Sequence, residues 1–230
     1  MDESGRTIIL ANNIELKLPE GYLEFIRELG CSLERNLIAF YIPNSTRYYR
    51  RKLLNFILRD NVLRWIEKHG FHRKVTEMLS EVVYDKFTEL LLRRDRLCLR
   101  KEVNGSIGPL YIDIDSLGEG VRRFVLIYLA IEYLDPRIVL WDDVEVAMHP
   151  SFLGVLIKWL SSSDRQVVLT THSIDVLYAL TVVRPEDCRV IILRKTPSDE
   201  VEWKALSLDE LEEFFESGVD IRKIVDELEL

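Results

Sequence analysis

Two adjacent carboxylates and a histidine follow two short apolar runs in the middle of the chain. Asp142 and Asp143 come directly after the run 138–141, and His172 ends a second run that begins at Val167. Such runs are typical of parallel strands buried on both faces, and open α/β sheets bind their ligands at the carboxyl edge of the strands. Buried carboxylates need a partner, and Mg²⁺ carried by a nucleotide is a suitable one.

The spacing of these residues indicates a division of roles. Asp142 would hold the metal through water, Asp143 would orient or deprotonate an attacking water, and His172 would contact a terminal phosphate. Glu145 would either support that water or fix the loop in which it lies. An Asp-Asp pair after a strand is commonly a helix cap, but a strand ending in histidine follows 29 residues after Asp143 and favours a nucleotide site.

A glycine turn precedes these strands in the sequence. It consists of Ser116, Leu117, Gly118, Glu119 and Gly120, and an apolar helical pattern follows it. Gly118 and Gly120 would permit a close backbone approach, and the amide end of the helix would face an anion. The turn is therefore the expected phosphate-binding element.

The segments that must position these residues alternate between strands and helices. Apolar periodicity predicts an α/β fold with a mostly parallel sheet flanked by helices, plus a helical segment near residues 45–95. We expect the chain to divide into four parts: an N-terminal strand and helix at 1–44, a helical subdomain at 45–96, the main α/β lobe at 97–206 and acidic helices at 207–230. The predicted strands are 6–18, 36–43, 97–103, 110–114, 138–141, 167–169, 190–194 and 201–206. The predicted helices are 19–30, two between 45 and 91 with a break near Gly70, 121–134, 150–160, 174–182 and acidic helices at the end of the chain.

Four motifs in this order resemble those of a known ATPase class. They are the turn 116–120, the acidic strand 138–145, Met148-His149-Pro150 and Thr170-Thr171-His172-Ser173. Together they are similar to the C-terminal lobe of an ABC-type ATPase head, a class that includes SMC, RecF and OLD-like AAA ATPases. The resemblance is closest to the OLD-like proteins and covers roughly residues 36–225.

The resemblance implies a P-loop NTPase fold, ATP and Mg²⁺ as cofactors, and a role for each motif. By position, Leu117–Gly120 is the signature, Asp142 is the Walker B aspartate, and Asp143 is the catalytic carboxylate. Val146–Pro150 is the D-loop, and His172 is the switch histidine. In this class the P-loop of one protomer faces the signature of the other, so a dimer is expected.

Two residues depart from the family pattern. Asp143 stands where a glutamate is usual, and the missing methylene would shift the base by roughly 1–1.5 Å and lower the rate about 10²-fold. Gly118 stands at the usual serine, so a phosphate contact would come from backbone amides or Ser116. Slow hydrolysis is the expected consequence.

A P-loop motif is missing from the printed sequence. It requires Gly-x-x-x-x-Gly-Lys-Ser/Thr, and none of the 230 residues forms a Gly-Lys pair. Gly5-Arg6-Thr7 is a poor imitation, because a strand pattern follows it. The resemblance therefore implies a P-loop from a partner chain or an N-terminal segment, in a split subunit, a truncated frame or a degenerate paralogue.

Basic residues concentrate between Arg47 and Lys101, where 15 Lys and Arg stand against 7 Asp and Glu, although the whole chain has a net charge of −8. Arg47, Arg50, Arg51 and Lys52 surround two tyrosines, a pattern that suits nucleic acid. A solvated helical pair with Arg–Glu pairing explains the same charges more simply.

Composition sets the remaining limits. No apolar run approaches the ~20 residues of a membrane span. Three separated cysteines and an N-terminus without a basic apolar leader predict a cytoplasmic protein. A single glutamine amid many charged residues suggests a thermophile.

Two other functions remain open at this stage. A degenerate, non-hydrolysing module would bind DNA or protein, in keeping with Asp143 and Gly118. A metal nuclease would use Asp113 and Asp115 together with the Asp142 pair.

Overall fold

The computed structural model describes residues 8–11, 14–17, 39–44, 47–83, 85–103, 108–218 and 221. The strands are β1 (Ile8–Ala11), β2 (Ile14–Lys17), β3 (Ala39–Ile42), β4 (Phe87–Arg93), β5 (Arg96–Lys101), β6 (Leu110–Asp113), β7 (Ile138–Trp141), β8 (Gln166–Leu169), β9 (Val190–Lys195) and β10 (Val201–Leu206). The helices are α1 (Arg47–Ile57), α2 (Asp60–Lys68), α3 (Phe71–Val82), α4 (Glu119–Leu134), α5 (Pro150–Ser161), α6 (Ile174–Val183) and α7 (Leu208–Glu216).

The central sheet has the strand order β3-β7-β8, and both strand pairs are parallel. Helix α5 connects β7 to β8, as the sequence predicts. Val139 and Trp141 of β7 are buried in the main core, and their neighbours in register, such as Val167 and Leu169, pack against the same core. Helices α1 to α6 all contribute to that core, which gives the predicted α/β fold with a parallel sheet flanked by helices.

The expectation that β7 is buried on both faces is wrong. Ile138 and Leu140 point to the opposite face and are only half-buried. Their neighbour in register on β8, Val168, is 48% exposed, and Tyr41 on β3 is 56% exposed. In the described part of the chain, the helices therefore cover one face of this sheet.

A second, antiparallel sheet has the strand order β4-β5-β6. Its β5–β6 pair confirms the predicted strands at 97–103 and 110–114, while the turn at Asn104-Gly105 lies outside the described residues. The second predicted helix was wrong beyond Val82, because Phe87 to Leu91 lie in the strand β4. The run Leu90-Leu91-Leu92 fits either period, and pairing with β5 decides it. The expected boundary after Arg96 falls inside β5.

The N-terminal prediction also needs correction. A single strand was expected at 6–18, but β1 and β2 pair antiparallel with each other. Asn12-Asn13, the predicted helix 19–30 and the Gly5-Arg6-Thr7 segment lie outside the described residues.

The C-terminal part forms a smaller core. Strands β9 and β10 pair antiparallel, as predicted, and Leu206, Leu208 and Leu211 are buried together. Ser207 caps α7 in a reciprocal capping box with Glu210. None of the described helices has the length and apolarity that a membrane crossing requires.

Candidate active site

At the carboxyl end of the central sheet, backbone hydrogen bonds between neighbouring strands continue one residue beyond β7 and β8. The amide of Asp142 donates to the carbonyl of Ile42 at 2.9 Å, and the amide of Thr170 donates to that of Trp141 at 2.9 Å. The ladder of the sheet therefore continues into the loops, and it places Asp142 beside the loop that carries His172.

Thr170 connects the two aspartates. Its hydroxyl donates to Asp142 Oδ1 at 2.7 Å and accepts from the amide of Asp143 at 2.9 Å. This bridge fixes one carboxylate oxygen of Asp142 and the backbone of its neighbour with a single side chain. The sequence places Thr170 next to His172 but gives no sign of this role.

Asp143 turns away from the strand with φ of 44°, a left-handed conformation that aspartate tolerates better than most residues. Its Oδ2 accepts from the side-chain amide of Asn44 at 2.9 Å, and its Oδ1 lies 3.9 Å from His172 Nε2. The fold thus brings the predicted Asp142, Asp143 and His172 to one edge of one sheet. Asn44, just after β3, is a further site residue that the sequence analysis missed.

Glu145 holds the loop after β8. Its Oε2 accepts from the Thr171 hydroxyl at 2.7 Å, and its Oε1 accepts from the backbone amide of His172 at 2.9 Å. Both oxygens are thus engaged with the loop after β8, whereas the sequence analysis expected Glu145 either to support the water or to fix its own loop after β7. The His172 ring itself extends outward, with 91% of its side chain exposed.

The glycine turn begins α4. A Cβ added to Gly120 would overlap the carbonyl oxygen of Ala147, so only glycine lets α4 approach the segment 146–150 this closely. A Cβ on Gly118 would meet no atom within 4 Å, so the fold itself does not require glycine there. Ser116 donates to the carbonyl of Asp113 at 2.6 Å within the turn.

The segment 146–150 is a tight turn that leads into α5. Ala147 has φ of 64°, and the amide of Met148 donates to the carbonyl of Glu145 at 2.9 Å. His149 is the N-cap of α5, where its Nδ1 accepts from the amide of Ser151. His149 thus makes a local hydrogen bond at the start of α5.

Glu119, at the start of α4, is held by two arginines. Its carboxylate oxygens form ion pairs with Arg50 of α1 and Arg122 of α4. Burial raises the pKa of Glu119, but the hydrogen bonds and charges of the two arginines outweigh burial and leave that pKa below its usual value. Glu119 therefore joins α1 to the glycine turn.

Arg123 connects the turn to both neighbouring loops. Its guanidinium donates to the carbonyls of Val146 at 2.9 Å and Pro43 at 3.2 Å, and lies 5.8 Å from the centre of the Trp141 ring. Burial lowers the pKa of Arg123, against the charges of Glu119 and other nearby groups. No sequence motif marked this residue.

A cavity of about 250 Å³ lies between the start of α4, α1 and the loop after β3. Its lining combines charged and apolar side chains, and includes Asn44, Tyr49, Arg50, Glu119, Arg123 and Leu126. Since Asn44 also contacts Asp143, this cavity adjoins the aspartates.

Asp113 and Asp115, the further carboxylates of the metal-nuclease alternative, each pair with an arginine nearby. Asp113 pairs with Arg96 at 2.9 Å and Asp115 with Arg122 at 3.0 Å, on the second sheet and the turn after it. Among the described residues no group of three or more His, Cys, Asp or Glu is arranged to hold a metal ion.

The predicted DNA-binding arginines lie at the start of α1. Arg50 is engaged with Glu119, while Arg51 and Lys52 are exposed. The side chain of Arg47 is outside the described residues.

The donor set at the sheet edge suits a hydrated divalent cation bound to a nucleotide. Thr170 orients one oxygen of Asp142, and within the described residues no protein group donates to the other. Such a carboxylate can bind Mg²⁺ through its waters, which is how this ion is usually held beside phosphates.

Residues 35–178 match the protein family described as "AAA domain, putative AbiEii toxin, Type IV TA system". The chain belongs to this AAA-domain family. The match spans the glycine turn, the acidic strand and the loop of His172, so it contains every residue of the site described above. No curated protein matches this chain.

The solved structures that are similar to this chain include three from work on SMC proteins. One is a chain from work on ATP-driven dimerization and DNA-stimulated activation of SMC ATPases, with 11% identity, a TM-score of 0.47, and coverage of 68% of this chain and 96% of that one. The Smc head of Pyrococcus furiosus bound to the C-terminal domain of ScpA has 13% identity, a TM-score of 0.43, and coverage of 72% and 42%. The Smc head of Pyrococcus yayanosii has 12% identity, a TM-score of 0.42, and coverage of 64% and 28%.

Proposed function

We propose that this chain supplies the Walker B, signature, D-loop and switch residues of an OLD-like, ABC-type ATPase head in the cytoplasm. The P-loop would come from a partner chain or from a segment upstream of the printed sequence. The observation that supports this most strongly is the hydrogen-bonded edge at which Thr170 joins Asp142 to Asp143, with His172 Nε2 at 3.9 Å from Asp143.

The residues of this edge divide the work of hydrolysis. Bound Mg²⁺ would offset the charge of the phosphates. Asp142 would hold it through water, in the orientation set by Thr170. Asp143 would accept a proton from the attacking water. The oxygen of that water would bond to the terminal phosphorus while the phosphorus–oxygen bond to ADP breaks, so that ADP leaves. Glu145 would keep the His172 loop in position.

The side chain of Asp143 is shorter than the usual glutamate, and it is also held by a hydrogen bond. Asn44 holds its Oδ2 at 2.9 Å, so the carboxylate cannot easily move toward a water. Slow turnover is therefore part of the proposal. Because the glycine turn and the aspartates would contact different nucleotides in a head dimer, the active form would contain two such heads.

The test is co-expression of the chain with the product of the adjoining reading frame, provided that frame encodes a strand, a Gly-Lys-Ser/Thr loop and a helix. Phosphate release from ATP should occur with the purified pair and should be nearly absent with this chain alone. Asp142→Asn should abolish it, whereas the exposed Asp164→Asn should not. Appreciable turnover by the isolated chain would contradict the proposal.

A degenerate module that binds DNA without hydrolysis is a second candidate. It is favoured by the shortened Asp143 and by the exposure of Arg51 and Lys52 on α1. Fluorescence anisotropy with labelled single-stranded DNA would show binding that ATP does not change. Arg51→Glu with Lys52→Glu should abolish this binding, whereas Asp142→Asn should leave it intact.

A further inference from the structure

The cavity of about 250 Å³ beside Asn44 has a mostly apolar lining. Leu53 of α1 and Leu126 and Ile127 of α4 contribute to it, and each of these side chains is at most 7% exposed. Small-molecule sites in proteins have such linings, together with a few polar groups that set the orientation of the ligand. The cavity is therefore a candidate ligand site.

Tyr49 gives the cavity an aromatic wall. Its hydroxyl donates to the carbonyl of Tyr41 at 3.0 Å, and its side chain packs against the main core. Burial raises the pKa of the Tyr49 hydroxyl, so this wall is uncharged at neutral pH. A ring or another apolar group fits beside it.

Arg123 brings to the cavity a positive charge that no contacting carboxylate balances. Its guanidinium has five N–H donors, and two of its nitrogens donate to the carbonyls of Val146 and Pro43. Among the described residues Arg123 forms no ion pair, and the charges of Glu119 and Asp143 act on it only from a distance. A half-buried cation with neutral acceptors favours an anion as a further partner.

Arg50 adds a second guanidinium to the lining. It pairs with Glu119, but Glu119 also pairs with Arg122, which pairs in turn with Asp115. Together with Arg123, this group contains three arginines and two carboxylates, so one positive charge is left over. A single anionic group on a ligand would balance it.

The volume of the cavity limits the size of that ligand. Pockets for drug-sized ligands measure roughly 300–1,000 Å³. A cavity of about 250 Å³ accepts a molecule with one ring but not a whole nucleoside triphosphate. Asp142, Asp143 and His172 are not part of its lining, which separates it from the aspartate edge.

We propose that this cavity binds a small organic acid with one apolar ring and one carboxylate. The carboxylate accepts hydrogen bonds from Arg50 and Arg123, whose planar guanidinium groups match its geometry. The ring packs against Tyr49, Leu53 and Leu126. Binding requires neither the aspartates nor a P-loop, so this site is independent of the proposed ATPase function.

Two other kinds of ligand fit the cavity less well. Inorganic phosphate would leave the apolar lining without a contact. A neutral ring compound would fill the space but would leave the surplus positive charge unbalanced.

Fluorine NMR on the purified full chain tests the site. The probe is 4-fluorobenzoate, and the neutral 4-fluorobenzamide has nearly the same shape. The acid should bind saturably, at one site per chain. It should bind about tenfold or more tightly than the amide, because hydrogen bonds to an ionised group are about twice as strong as neutral ones.

Two substitutions remove a charge and a third fills the cavity. Arg50→Met and Arg123→Met should each weaken the binding of the acid about tenfold or more and change that of the amide little. Leu53→Phe should remove the binding of both compounds, because the added ring occupies the space. The matched controls are Arg64→Met, at an exposed ion pair on α2, and Leu92→Phe, on the surface of β4. Neither control should change the binding.

Circular dichroism and melting temperature are measured on the same samples. Arg50→Met leaves Glu119 paired with Arg122, so this variant should stay folded, and its loss of affinity then reports the lost contact with the acid.

Four outcomes overturn the proposal. They are no saturable binding of the acid, equal binding of the acid and the amide, unchanged affinity in both arginine variants, and displacement of the acid by ATP, which would assign the cavity to the nucleotide site. Saturable binding that persists with ATP and is weakened in folded Arg50→Met supports it.

Discussion

The backbone amide of His172 donates to Glu145 Oε1 at 2.9 Å, across 27 positions of sequence. The other carboxylate oxygen of Glu145 accepts from the hydroxyl of Thr171. The side chain of Glu145, in the loop after β7, thus holds the backbone of the loop that carries the exposed histidine.

Replacing Glu145 should release this loop. Glu145→Ala removes both acceptors and should lower the free energy of unfolding by about 1.5–3 kcal/mol, the usual range for hydrogen bonds to a charged group. Urea unfolding followed by fluorescence measures the change, and hydrogen exchange should show faster exchange at the His172 amide. Glu213→Ala, at an exposed position on α7, is the control and should change stability by less than about 0.5 kcal/mol. Equal effects of the two substitutions would show that the hydrogen bonds of Glu145 to Thr171 and His172 do not stabilise the loop.

Two glycines should respond to alanine in opposite directions. Gly120→Ala would force α4 away from Ala147 and should destabilise the fold by about 1–3 kcal/mol, as overpacking does. Gly154→Ala, inside α5 with no atom within 4 Å of the added Cβ, should stabilise it by about 0.5–1 kcal/mol. Thermal unfolding of both variants provides the comparison, and the same sign for both would contradict the close approach at Gly120.

The guanidinium of Arg123 should contribute to stability through its two carbonyl partners. Arg123→Met keeps much of the side-chain length but leaves the carbonyls of Val146 and Pro43 without their donor, at a cost of about 2 kcal/mol. Arg64→Met is the matched control, since Arg64 pairs with Asp60 on the surface and such pairs are worth less than about 1 kcal/mol. The midpoints of urea denaturation, compared at equal m-values, measure the loss of stability in the two variants.

Acid should weaken the contact of Glu119 with its arginines. The pKa of Glu119 is lower in the folded chain than its usual value, so the unfolded chain takes up the proton first as the pH falls. Its stabilising effect is therefore complete above the usual glutamate pKa of about 4.3 and is lost as the pH falls through the lower, folded value. Unfolding measured from pH 7 to pH 3 should show Glu119→Gln less stable at neutral pH, with the difference closing in that acid range. A constant difference would contradict the ion-pair explanation.

The sequence predicts the parts of this molecule in which local pattern and tertiary contact agree. The apolar runs before Asp142 and His172 form neighbouring parallel strands, and the short connection through α5 leaves few alternatives. The prediction was wrong at Phe87 to Leu91, where a continuous apolar run is compatible with both periods and the partner strand β5 determines the outcome.

The supporting residues of the site could not be found from sequence. Asn44 contacts Asp143 at a separation of 99 positions, and Arg123 contacts Pro43 at 80 and Val146 at 23. Thr170 contacts the two aspartates at separations of 27 and 28 positions. No local pattern encodes such contacts. The exposure of one face of the central sheet could not be predicted either, because the apolar pattern of β7 is the same whether or not another element covers that face.

The uncovered row Tyr41, Leu140 and Val168 has a consequence for the living cell. Molecular chaperones and proteases recognise exposed apolar segments, so a copy in which this row stays uncovered should be cleared faster than one in which another element covers it.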